Sequence, residues 1–147
     1  MRALIWAGIL AMAGGAAMAQ DIMKVETDKS VQEAMDALEA AVGNAGATVF
    51  ARVDHAAGAG KVGLELAGSQ VLVFGNPKLG TPAMQVDPLA GLFLPLKVLA
   101  YEDDAGQVWL AYEDPAATMQ GLDGVADAPV IEKMQGALKK LTAAAAQ

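Results

Sequence analysis

The sequence predicts an α+β fold: a single two-layer domain of about five mainly antiparallel strands with about three helices packed on the sheet. Three observations carry this. Segments of strand period and helix period follow one another from Ile22 to Leu141. The apolar runs 94–101 and 108–112 flank Asp103-Asp104-Ala105-Gly106, a turn that closes a hairpin. No internal repeat and no long linker divides the chain.

The first strand is expected over Ile22–Thr27, and Ser30-Val31-Gln32-Glu33 is a capping box, with hydroxyl and carboxylate positioned for the amides of a helix start. Val31, Ala34, Met35, Leu38, Ala41 and Val42 recur at helical spacing, and Gly43-Asn44 with Gly46 supplies a left-handed stop. Residues 48–54 alternate as a strand does. Four glycines within 56–68 dilute the helical signal, so a short or broken helix is expected there.

Gln70–Phe74 is a continuous β-branched and apolar run, which predicts a central strand buried on both faces. After it, Thr81-Pro82 reads as a cap with proline in the first turn of a short helix, ended by Pro88 or the region of Gly91. The hairpin follows. Both faces of its strands are apolar, so a second helix or a second copy of the chain is expected to cover the outer one, and a homodimer is the corresponding expectation. A last helix is expected from near Asp127, with Val130, Ile131, Met134, Leu138 and Leu141 on its buried stripe and a frayed tail from Ala143.

The amino end reads as a secretory signal peptide over residues 1–19. Met1-Arg2 gives the positive region, Ala3–Ala13 the apolar core, and Ala17-Met18-Ala19 a small-x-small site with cleavage after Ala19. That core is shorter than the roughly 20 residues a bilayer requires. The expectation is therefore a periplasmic protein, residues 20–147, with no stable membrane insertion after cleavage. Loss of Arg2 with the leader takes the formal net charge from −7 to −8, which argues against nucleic acid as a partner because phosphate backbones demand a basic patch. The absence of cysteine excludes disulfides, thiol redox chemistry and thiolate metal centres.

The candidate site residues are Arg52, His55, Asn76, Lys78, Gly80 and Thr81. Gly75-x-x-x-x-Gly80-Thr81 lies between a strand and a helix, as a phosphate-binding loop does, but the lysine that should follow the second glycine is absent, so a nucleoside triphosphatase is excluded. Two readings of this loop stand. In one, amides at a helix start near Thr81 hold a small anion together with Lys78; in the other, Asn76-Pro77 and Gly80 build a turn and Thr81 caps a helix. His55, the single histidine, follows Arg52 and Asp54 at a strand end, where it serves as a structural group or as a base. Arg52 and Asp54 read most simply as a surface ion pair, and the acidic run Glu102-Asp103-Asp104 as a solvated hairpin tip. One His without Cys builds no conventional metal cage, and no metal or cofactor is expected; Met84, beside the loop, is the one methionine of interest as a soft copper(I) ligand. Ser69 lacks the Gly-x-Ser-x-Gly elbow of an activated serine.

Phe74-Gly-Asn-Pro-Lys-Leu-Gly-Thr-Pro82, Leu94-Pro-Leu-Lys-Val98, Trp109-Leu-Ala-Tyr-Glu-Asp-Pro115 and the earlier Phe50-Ala-Arg-Val-Asp-His55 resemble the family known as domain of unknown function 302, with the best match over residues 45–115. The resemblance implies a small α+β domain, often exported, that dimerises in some members, and it implies no catalysed reaction. The family pattern carries an Arg-His pair a few residues beyond the Asp-Pro; here Met119-Gln120-Gly121 stands near that place. Two functions follow as expectations. One is a non-enzymatic module for a small, anionic ligand near Arg52, His55, Lys78 and Thr81. The alternative is an enzyme with His55 as general base and Lys78 as the anion-stabilising group.

Overall fold

The computed structural model describes residues 21–147. The expected signal peptide lies outside the described residues. Strands β1 (Ile22–Thr27), β2 (Thr48–Asp54), β3 (Ser69–Gly75), β4 (Leu96–Glu102) and β5 (Val108–Glu113) form one sheet in the order β1-β5-β4-β3-β2. Every neighbouring pair is antiparallel. Helices α1 (Val31–Asn44), α2 (His55–Lys61), α3 (Pro77–Val86), α4 (Pro115–Thr118) and α5 (Pro129–Ala146) complete the α+β fold, with a 3-10 turn over Pro88–Leu92. Five helices stand where about three main ones were expected: the short helix expected within residues 56–68 is present as α2, and the four-residue α4 is too short to show a period.

Local chemistry sets the frame. The Ser30 hydroxyl accepts from the Glu33 amide while the Glu33 carboxylate accepts from the Ser30 amide, so both ends of the capping box are present. Helix α1 then buries Val31, Ala34, Met35, Leu38 and Val42, and the chain leaves it through Gly46 at φ 74°, a left-handed conformation that disfavours other residues. These side chains meet Leu72, Phe74, Val98, Ala100, Leu110 and Tyr112 from the sheet and Leu138 and Leu141 from α5. A second, smaller core of Ala83, Ala90, Met119, Val125, Ile131 and Met134 lies beneath α3, α4 and the first half of α5. Leu96 packs against both.

The sheet corrects the reading of residues 70–74. Strand β3 is internal, hydrogen-bonded to β2 and β4, but its burial alternates: Gln70, Leu72 and Phe74 are buried while Val71 and Val73 are half-buried. Helices α1 and α5 cover the first set. On the opposite face Val53, Val71, Leu99 and Ala111 stand in register as an apolar row across four strands.

The last helix corrects a second expectation. Residues 143–146 are helical, not frayed, and Ala145 is fully buried. Thr27 Oγ1 donates to the Ala146 carbonyl at 2.9 Å, and Lys29 Nζ donates to the carbonyls of Ala145 and Gln147. These donors come from residues distant in sequence, so nothing local in the alanine run announces them.

Candidate functional site

The six sequence-selected residues separate into two groups. Arg52 points at α1: its Nη1 lies 2.6 Å from Asp36 Oδ1 and 3.1 Å from Glu39 Oε2, and its Nε donates to Gln70 Oε1 at 2.9 Å. The Arg52 donor holds the Asp36 carboxyl below its ordinary range. Asp54 is not its ion-pair partner. Instead Asp54 caps α2 by accepting from the Ala57 amide, and it accepts from Gln70 Nε2 at 3.2 Å. His55 is the exposed first residue of α2.

Asn76 corrects the reading of the loop. Its side chain accepts from the Lys78 amide and its carbonyl from the amides of Leu79 and Gly80, so α3 begins five residues earlier than Thr81-Pro82 suggested. Both Asn-Pro and Thr-Pro satisfy the rule that proline is tolerated in the first turn. The earlier pair prevails, and Pro82 lies inside the helix. The amides of the first turn are therefore used within the chain, and Thr81 sits in helix interior rather than at an anion-holding start. Lys78 is exposed on that first turn.

His55 and Lys78 do not converge. His55 follows Asp54, which pairs with Gln70 near the start of β3, whereas Lys78 follows Gly75 at its end. The five residue steps between those points span roughly 17 Å.

Asn76, Gly80 and Thr81 do come together, on one wall of a groove of about 750 Å³. Its lining is drawn from Phe50, Phe74 and Gly75 of β2 and β3, Leu79 and Met84 of α3, the Leu94-Pro95-Leu96 segment, and Lys133, Met134, Gly136, Ala137, Lys140 and Leu141 of α5. The groove follows the seam between the two cores, with Phe74 and Leu141 belonging to the larger and Met134 to the smaller. Phe50, displaced by an irregularity in the β2–β3 register between Val49 and Ala51, is left 58% exposed at its mouth. Arg52, His55 and Lys78 are absent from its lining.

The α5 wall escaped the sequence reading. Lys133, Ala137 and Lys140 recur at helical spacing on the flank of the buried stripe, a signal that in sequence alone is indistinguishable from an ordinary solvated face. Met84, by contrast, was singled out and lines the groove. Among the described residues no cluster of three or more His, Cys, Asp or Glu side chains stands together as a metal site would require.

A five-stranded antiparallel sheet, helices on one face and a groove along the seam of two small cores define a two-layer α+β domain. The chain belongs to the family described as Domain of unknown function DUF302, whose model matches residues 23–144. Its fold is similar to the crystal structure of the uncharacterized conserved protein DUF302 from Bacillus stearothermophilus, with a TM-score of 0.77 at 16% identity, covering 86% of this chain and 98% of that one. Over 95 residues, 65% of its length, it is 44% identical to proteins named Fluoride-specific ion channel FluC 1 from Brucella suis and Brucella abortus. The aligned part is 37% and 35% of those proteins, so the chain spans about a third of the curated relatives it matches. Among the described residues no helix is long and apolar enough to cross a membrane.

Proposed function

We propose that the chain is a non-enzymatic binding module that holds a small, largely apolar ligand in the groove bounded by Asn76, Gly80 and Thr81. One observation carries this: about 750 Å³ of concave space walled by Phe, Leu, Met and Ala side chains with a few polar groups, the usual composition of a small-molecule site. The enzyme reading required His55 and Lys78 to act on one substrate. Their places near opposite ends of β3 favour the binding reading over that one.

We assign this module to the periplasm, exported by the leader ending at Ala19. It pairs with a second copy through the row Val53, Val71, Leu99 and Ala111. Light scattering at micromolar concentration checks the pairing: wild type is expected to be a dimer and Leu99→Lys a monomer, and a monomeric wild type removes the claim. Native mass spectrometry of protein purified from the cells that make it tests the ligand. A small-molecule adduct retained by wild type and missing from Gly136→Leu supports the reading. Equal adducts in both, or none in either, overturn it.

A second reading is favoured by the Brucella relatives, in which a segment 44% identical to this domain shares a polypeptide with the remainder of a protein named as a fluoride channel. In that reading the domain is an accessory to fluoride export. Cells lacking this chain are then expected to tolerate less fluoride than cells with it restored, and equal tolerance overturns this reading.

A further inference from the structure

We infer that the ligand is a single-headed anionic amphiphile, with its apolar chain along the groove and its head at Gly136 between Lys133 and Lys140. The inference rests on the groove reading and names the chemistry of its occupant. Three features of α5 lead to it. The first is charge: no Asp or Glu lines the groove, yet two lysines do, in a protein whose formal net charge is −7. Among the described residues neither lysine has a carboxylate within ion-pairing distance.

The second is spacing. Lys133 and Lys140 are seven residues apart, two helical turns and roughly 10 Å along the axis, so both flexible ammonium groups reach a point midway between them. The third is the glycine at that midpoint. Gly136 interrupts the 18-residue α5 in its interior, where glycine weakens a helix. Packing does not call for it, since a Cβ there would meet no atom within 4 Å. Its lack of a side chain instead leaves the groove wall open between the two cations. A neutral ligand would gain nothing from this arrangement and a cationic one would be repelled by it. The apolar walls of Phe74, Leu79, Leu94 and Met134 accept a hydrocarbon chain but offer few partners to a polyanion.

Calorimetric titration with decanoate, decanol and decylammonium, each below its aggregation limit, tests the inference. Wild type is expected to bind decanoate about tenfold more tightly than decanol and to bind decylammonium not at all, the order of effect expected of charge-assisted contacts. K133Q/K140Q is expected to bring decanoate down to the affinity of decanol measured on the same variant, with the melting temperature unchanged. Added salt should weaken decanoate alone. Equal binding of decanoate and decanol by wild type, with both lost in Gly136→Leu, overturns the anionic head while leaving the groove reading in place. Decanoate binding that Gly136→Leu does not alter, or no binding of any of the three, overturns both.

Discussion

Arg52 Nη1 stands 2.6 Å from Asp36 Oδ1, so the strand at the edge of the sheet is tied to the helix that covers it. The same guanidinium donates from Nε to the buried Gln70, whose own amide donates to Gln32 and Asp54. A residue selected as a ligand contact thus joins β2, β3 and α1. Arg52→Ala leaves Gln70 Oε1 without this donor in a buried position, which should cost about 1–3 kcal/mol. Thermal unfolding followed by circular dichroism should show a melting temperature lower by several degrees, with groove binding unchanged in the folded protein. An unchanged melting temperature would show that the network contributes nothing.

Asp103 turns the expected solvated hairpin tip into a structural device. Its carboxylate accepts from the amides of Ala105 and Gln107 and from the Trp109 indole at 2.8 Å. The indole bond, then those from the backbone, hold its pKa below the ordinary carboxylate value. A folded pKa lower than the unfolded one means that this contribution is full above about pH 4 and is lost as pH falls through the folded value. In a chain made without residues 1–19, Trp109 is the only tryptophan. Its fluorescence should therefore titrate with a midpoint below the ordinary aspartate range, and Asp103→Asn should abolish that transition.

Gly136→Ala adds a methyl group where nothing stands within 4 Å and removes a helix-weakening residue. A gain of about 0.5–1 kcal/mol is expected, a rise in melting temperature of about 2–4 °C. A fall would mean that the backbone at this position requires glycine.

Deletion of residues 143–147 removes the buried Ala145 and the carbonyl that accepts from Thr27, itself buried. The shortened chain should lose about 1–3 kcal/mol. Thr27→Val, which deletes one donor and keeps the shape, should lose less. Denaturant titration distinguishes the two, and equal stability of full and shortened chains would show a tail that adds nothing.

Much of the fold was legible locally. The Ser30–Glu33 box, the stripe Val31 to Val42 and the hairpin turn at Gly106 each rest on contacts within a few residues, and each stands where the sequence placed it. Two corrections have different causes. The start of α3 depended on which of two equivalent cap-proline pairs would prevail, and the end of α5 on donors more than a hundred residues away. Of the six selected residues, Asn76, Gly80 and Thr81 line one groove, whereas Arg52, His55 and Lys78 were grouped with them by chemistry rather than by position.

The sequence by itself determined the α+β class, the order of strands and helices, the acidic balance and the exclusion of thiol chemistry, because composition and short-range periodicity encode these. Only the tertiary structure decided that His55 and Lys78 stand apart, that Arg52 belongs to the frame, and that Lys133, Gly136 and Lys140 line one groove with Asn76. Antiparallel pairing sends the ends of successive strands to opposite ends of the sheet, and α5 meets α3 across a core whose members are spread from Leu79 to Met134. No window of sequence contains either fact.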